Sequence, residues 1–330
     1  MREISYSEAI RETLYQTMEA DPHTVLFGQG VSSPWYVGNT TLGLEKCFGE
    51  RRVIDTPVSE NCIAGSAVGC ALAGIRTVLV FPRMDFMLYA MDQILNHAAN
   101  WRYMFGGKMN IPLTIWAIIN RGGEQAAQHS QAFHAIFAHI PGLKIVAPSD
   151  PYDAKGLLNS CLHENNPIIY VDDRWLYNLK GSVPEEPYTI PIGKGIIRRK
   201  GKDITIVANS YMVQESMKSA IILEENGIDA EVIDLRSLKP IDVDLLIESV
   251  SKTKRMVVAD GGWKNCGFAA EISATISELR LIKQLKAPIF RVALPDSPAP
   301  ASRALEKLYY KNFNDIVDVC MLSMEDDYVL

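Results

Sequence analysis

Apolar positions along the chain follow two periods that replace one another. Between Ser7 and Met18, Ile10, Leu14 and Met18 stand four residues apart, which marks one face of a helix ended by Asp21-Pro22. Short β-branched runs then take over. Thr24 to Phe27, Arg52 to Val58, Thr77 to Phe81, Pro112 to Ile119, Leu143 to Ala147 and Pro167 to Val171 predict strands, several of them apolar on both faces as in a buried parallel sheet. Helices are predicted between them: one of small residues after Ser59, which stands where a cap belongs, one over Asp85 to Met104, and one opened by Asp150 with Pro151 at its first position. The glycine-broken stretch Ser32 to Gly38 reads as a loop.

The alternation fails between Asn178 and Gly193, where Gly181-Ser-Val-Pro-Glu-Glu-Pro-Tyr-Thr-Ile-Pro is proline-rich and acidic, the character of a linker. A second pattern begins beyond it. Strands are predicted at Ile204 to Ala208, Asp229 to Leu235, Met256 to Ala259 and Pro288 to Ala293, with helices near Val213 to Glu225, Val243 to Ser251 and Ala269 to Leu285. The expected fold class is α/β, as two doubly wound domains with parallel sheets, the second smaller than the first.

Composition narrows the picture. The 330 residues are 48% hydrophobic and 22% charged, as in globular domains with sizeable cores, and a net charge of −6 argues against a general affinity for nucleic acid or anionic membrane. Six scattered cysteines form no C-x-x-C pair and no zinc spacing, so they read as reduced packing residues. The N-terminal residues lack a basic segment leading into an apolar one, and a cytoplasmic location is expected.

In a parallel sheet the loops after the strands carry ligands. Three of these loops are unusual here. The first holds Glu60 at the mouth of the small-residue helix, although the helix dipole alone would favour a carboxylate there. The second is Pro82-Arg-Met-Asp-Phe86. The third is Asn120-Arg-Gly-Gly-Glu-Gln-Ala-Ala-Gln-His129-Ser-Gln131, where Gln128, Ser130 and Gln131 flank an imidazole and are placed to aim it. His23, His97, His134, His139 and His163 read as structural.

The segments Arg52-Val-Ile-Asp-Thr-Pro-Val-Ser-Glu60, Ala90 to Met104, Ala127-Gln-His-Ser-Gln131, Pro141 to Leu157 and Ile233 to Asp242, in order and over both domains, resemble the beta subunit of thiamine-diphosphate-dependent 2-oxo acid dehydrogenases. That resemblance implies a pyrimidine-binding domain over residues 1–185 and a transketolase C-terminal-type domain over 186–330. It implies that Glu60 hydrogen-bonds N1′ of the cofactor aminopyrimidine and so activates the thiazolium, that Phe86 packs on the pyrimidine, and that His129 orients substrate and moves protons. It also implies a structural potassium ion held through oxygens of Leu113, Cys161, Leu162, Glu164 and Asn166.

The same likeness implies a shared cofactor. Asp260-Gly261-Gly262 is followed by no asparagine pair, and the stretch from Asp260 to Glu271 looks instead like a turn of the C-terminal domain, so the diphosphate and its Mg²⁺ are expected on an alpha subunit in an α2β2 assembly. Further partners implied are a lipoyl acyltransferase and dihydrolipoyl dehydrogenase, with a 2-oxo acid as substrate. Some positions depart from the family pattern: Gly28-Gln29-Gly30-Val31, Val80, Arg83 and the Arg121 to Gln125 loop. An inward Arg83 would suit a substrate with a second anionic group, and an Arg83 facing a neighbouring subunit would not. Two other readings stay open: half of a split transketolase or acyloin-forming synthase without a lipoyl acceptor, and a catalytically silent scaffold subunit.

Overall fold

A computed structural model describes residues 2–325. It divides into two compact units, one comprising the chain up to Arg121 with Gln128–Ile192, the other Gly122–Ala127 with the chain from Gly193 onward. No helix among the described residues is long and apolar enough to cross a membrane.

The first unit opens with β1 (Arg2–Ser5) and α1 (Tyr6–Ala20). Ser5 and Glu8 form a reciprocal capping box, which satisfies backbone donors at the start of α1 and fixes its first turn. The buried face of α1 includes Ile10, Leu14 and Met18, and it packs on α7, described below. Then come β2 (Thr24–Gln29), the short helices α2 (Pro34–Val37) and α3 (Leu44–Phe48), β3 (Val53–Thr56), α4 (Glu60–Leu72) and β4 (Arg76–Phe81). The stretch expected to loop between Ser32 and Gly38 thus holds a helical turn, with the Ser33 side chain capping it. Ser59 sits at the cap position of α4, yet its side chain makes no capping hydrogen bond.

After β4 the predicted single helix is three pieces: a 3-10 stretch at Met84–Ala90, a π-type turn at Gln93–Ala98 and α5 (Trp101–Met104). Ala99 N donates to Ile94 O at 3.0 Å, the longer step that defines the π turn. The unit continues with β5 (Leu113–Ile119), α6 (His134–His139), β6 (Lys144–Val146), α7 (Pro151–His163), β7 (Ile168–Asp173) and β8 (Lys180–Val183). Six strands lie parallel in the order β6-β7-β5-β4-β2-β3, with every residue of β5 buried at the centre. Asp150 caps α7 by accepting from Asp153 N, and Pro151 takes the first helical position, as the sequence pattern requires. Separately, β1 and β8 form an antiparallel ribbon with Arg2 opposite Val183 and Ser5 opposite Lys180.

The proline-rich stretch is extended, as expected, but it is fastened. Buried Lys155 donates to Pro184 O at 2.9 Å and Glu185 O at 2.7 Å and pairs with Glu12, while Asn159 Nδ2 reaches Tyr188 O at 2.8 Å. Gly156 lets the strap lie this close to α7: a β-carbon there would sit 2.7 Å from both Ile190 and Tyr188.

The second unit contains β9 (Ile196–Arg199), β10 (Ile204–Ala208), α8 (Tyr211–Glu225), β11 (Ala230–Asp234), β12 (Ser237–Lys239), α9 (Val243–Thr253), β13 (Met256–Trp263), α10 (Phe268–Ser277), β14 (Phe290–Leu294), α11 (Arg303–Tyr309) and α12 (Phe313–Met324). Its sheet runs β14-β13-β10-β11-β9, parallel except for the antiparallel edge strand β9. Ile206, Val232 and Val257 build the core with Val213 and Leu223 of α8 and Ile316 of α12. The helix expected from Ala269 to Leu285 stops at Ser277, and a 3-10 turn, Arg280–Gln284, follows.

Candidate active site

Because β3, β4 and β5 are parallel members of one sheet, the loops that follow them open at its same edge. Glu60 follows β3, Phe86 follows β4 and His129 follows β5. At about 4.8 Å per strand step, the ends of β3 and β5 lie about 14 Å apart. β4, which leads into Phe86, lies between β2 and β5 within that interval.

Glu60 is the first residue of α4 and half-buried, and its carboxylate makes no hydrogen bond among the described residues. The helix behind it buries Ile63, Ala64, Ala67 and Val68 and leaves Asn61, Cys62, Ser66 and Gly69 exposed. A β-carbon on Gly65 would come 3.3 Å from Gln93 Oε1, whereas one on Gly69 would meet nothing within 4 Å. Close approach within this chain therefore explains one of the two glycines.

His129 closes a short 3-10 turn, Ala127–His129, and its ring stands edge-on to Phe86 with centroids 5.4 Å apart and planes at 90°. The residues expected to aim it make no hydrogen bond to the ring among the described residues. Gln128 is exposed, Ser130 Oγ is buried with no hydrogen-bond partner among the described residues, and Gln131 turns toward Asp85. Asp85 is 4% exposed, and its Oδ1 accepts from Gln131 N at 3.1 Å and Gln131 Nε2 at 2.9 Å. Burial raises its proton affinity, against the pull of the Gln131 donors. Asp85 escaped the sequence reading because its partner lies 46 positions away.

The departures found in the sequence have local explanations. Gly28 faces β4 so closely that a β-carbon would lie 2.3 Å from Val80 O. Asp55 of β3 holds the Gly30 loop, accepting from Gly30 N at 2.7 Å and Ser32 N at 3.2 Å. Arg83 is half-buried and donates to Pro82 O at 2.9 Å; burial and then the nearby Arg174 guanidinium lower its pKa. The loop after Arg121 is unusual in its backbone: Gly122, Gly123, Glu124 and Ala126 all have φ between 62° and 72°, and Glu124 N donates to Glu306 Oε1 at 2.9 Å.

At the end of β7, beside β5, lies a buried polar cluster that the sequence analysis did not single out. Asp172 accepts from Trp116 Nε1 and Tyr177 at one oxygen, and burial pushes its carboxyl up to about 7. Asp173 pairs with Arg121 at 2.8 Å, both fully or nearly fully buried.

The residues expected around a potassium ion stand at the start of β5, at the end of α7 and just beyond it. Cys161 O accepts from Thr114 Oγ1 at 3.1 Å, and Arg76 donates to the carbonyls of Leu162 and Glu164. Asn166 Oδ1 is buried with no hydrogen-bond partner among the described residues. Burial opposes ionisation of Glu164, but hydrogen bonds from Lys144 and Asn166 Nδ2 hold its pKa low. Arg76 thus already occupies the Leu162 and Glu164 carbonyls, and Asn166 Oδ1 is the oxygen of this set left open to a hard cation.

Asp260-Gly261-Gly262 lies within β13, where the buried Asp260 carboxylate accepts from Asn209 Nδ2 at 3.1 Å, and the turn of the stretch 260–271 follows at 265–266. No group of three or more His, Cys, Asp or Glu among the described residues is arranged to hold a metal ion.

Residues 2–180 match the model of the transketolase pyrimidine-binding domain, and residues 193–316 that of the transketolase C-terminal domain. The chain is 40% identical over 332 residues to the acetoin:2,6-dichlorophenolindophenol oxidoreductase subunit beta of Bacillus subtilis, with 97% of each chain covered. It is 38% identical to the pyruvate dehydrogenase E1 component subunit beta of the same organism, over 98% of this chain and 100% of that one. Among solved structures, a split gene transketolase in the form of an inactive beta4 tetramer superposes with a TM-score of 0.78 at 24% identity, covering 97% of this chain and 98% of that one, and so shares the fold. The chain belongs to the transketolase-like family, among the beta subunits of the pyruvate and acetoin dehydrogenase type.

Proposed function

We propose that this chain is the pyrimidine-holding subunit of a thiamine-diphosphate-dependent 2-oxo acid dehydrogenase, active in the cytoplasm with an alpha subunit in an α2β2 assembly. The observation that carries this reading is the half-buried Glu60 carboxylate, free of hydrogen bonds among the described residues, on the same sheet edge as Phe86 and His129. A carboxylate so placed is available to hold the N1′ proton of an aminopyrimidine, and the Phe86 ring offers that pyrimidine an apolar face. Thiamine diphosphate, when bound, supplies the electron sink on which a 2-oxo acid loses carbon dioxide. His129, with no hydrogen bond to its ring among the described residues, is available to orient the substrate and to move a proton during acyl transfer to a lipoyl acceptor. Mg²⁺ and the diphosphate are assigned to the alpha subunit, the lipoyl group to an acyltransferase, and its reoxidation to dihydrolipoyl dehydrogenase. Leu113, Cys161, Leu162, Glu164 and Asn166 are assigned to a structural potassium ion, as their oxygen donors allow.

The test is to purify the native complex through a tag on this chain and to assay a panel of 2-oxo acids with an artificial electron acceptor. Glu60→Gln in the intact complex is expected to lower kcat at least about 100-fold. Near-wild-type turnover by that variant would overturn the reading. A complex that transfers a two-carbon unit to aldose acceptors but never reduces the electron acceptor would favour the split transketolase instead.

A further inference from the structure

Three consecutive residues of the turn after β4 grip the His129 loop at three places. Met84 Sδ accepts from Phe133 N at 3.0 Å, Asp85 Oδ1 accepts both donors of Gln131, and the Phe86 ring meets the His129 ring edge-on. The gripped positions 129, 131 and 133 alternate, so one side of this short segment is fastened to the turn. Asp85 is the strongest of the three contacts, since hydrogen bonds to a carboxylate are roughly twice as strong as neutral ones. Its carboxylate also lies within electrostatic range of His129, and its second oxygen, Oδ2, is buried with no hydrogen-bond partner among the described residues. Leaving a carboxylate in so dry a place is costly, and a backbone–side-chain pair of donors from one residue is what offsets it.

We propose that Asp85 is the positioning residue for His129: it fixes the loop through Gln131 so that the imidazole is held against Phe86. The role assigned to His129 rests on the function proposed above, whereas the clamp itself does not. One short turn then carries both the ring assigned to the cofactor pyrimidine and the anchor of the loop assigned to the substrate. Displacing either element displaces the other.

The experiment compares wild type, Asp85→Ala and Asp85→Asn as full chains, by amide hydrogen exchange read with mass spectrometry over residues 127–133, and by kcat and KM in the purified complex. Asp85→Ala is expected to speed exchange in the loop about tenfold or more, with exchange in β5 and β10 unchanged, and to lower kcat much more than it raises KM. Asp85→Asn keeps an acceptor oxygen for Gln131 and is expected to restore most of the protection and of kcat. Should Asp85→Ala fail to fold, Gln131→Met removes the side-chain half of the same grip from the other side and is expected to loosen the same peptide to a smaller extent. Unchanged loop exchange in the folded variant overturns the clamp. Full activity of His129→Ala alongside a loosened loop in Asp85→Ala would instead remove the role of His129 and leave the clamp standing.

Discussion

The Tyr177 hydroxyl donates to Oδ2 of Asp172 at 2.7 Å, and the Trp116 indole N–H meets the same oxygen at 3.0 Å from the neighbouring strand β5. The other oxygen of Asp172 is buried with no hydrogen-bond partner among the described residues. Two donors do not compensate complete burial, which is why the carboxyl is held up at about 7. Since the folded value lies above the unfolded one near 3.9, the native state binds the extra proton. The stabilisation is complete below about pH 4 and is lost as pH rises to about 7. Asp172→Asn, which mimics the protonated form, is expected to match wild type below about pH 4 and to exceed it by about 2–4 kcal/mol at pH 8 in urea denaturation. An equal difference at both pH values would disprove this.

Gly142 has φ of +88°, and a β-carbon there would lie 2.1 Å from Ala99 O. The turn before β6 therefore has no room for a side chain. Gly142→Ala is expected to cost about 2–4 kcal/mol, measured by thermal unfolding, because the backbone strain and the clash add.

Ser5 links β1 to the start of α1 through a reciprocal cap with Glu8. Removing its hydroxyl in Ser5→Ala should destabilise the first unit by about 1 kcal/mol, whereas Ser5→Thr should change little. Denaturant midpoints of the two variants provide the comparison.

Lys155 is buried while its ammonium holds Glu12 and two carbonyls of the strap. Lys155→Met takes the donor from Pro184 O and leaves Glu12 to Arg2 and Glu185 O to Gln16 Nε2, and a loss of about 3 kcal/mol is expected. Limited proteolysis gives the local readout: cleavage within 184–190 should become faster in the variant, at conditions where the rest of the chain stays intact.

The potassium assignment is checked by exchanging K⁺ for choline in the buffer. The melting temperature is expected to rise with K⁺ in wild type and to be indifferent to it in Asn166→Ala, the residue whose Oδ1 has no protein partner among the described residues. The same rise in both proteins would count against a site at Asn166.

Local patterns carried much of the fold. The strand Ile204 to Ala208 and the Asp150-Pro151 helix start were readable because a run of apolar residues, or a cap followed by proline, depends only on its neighbours. The breaks at Gln93–Ala98 and after Ser277 were not, since the apolar pattern continues through both. The ribbon of β1 and β8 joins residues nearly the whole unit apart, and neither four-residue strand signals itself alone. At the site, the loops holding Glu60, Phe86 and His129 were legible as strand ends. Asp85 read only as a charge opening a helix, because its use lies in Gln131.

The pairing of β1 with β8 bears on how the protein is made. Residues 2–5 leave the ribosome long before their partners, residues 180–183, and the apolar face of α1 waits for α7. At about 5–20 residues per second, the nascent first unit stays open for roughly 9–36 s before its own ends can meet. During that interval Ile10, Leu14 and Met18 are exposed, and a chaperone that shields the emerging N-terminal helix would have its window there.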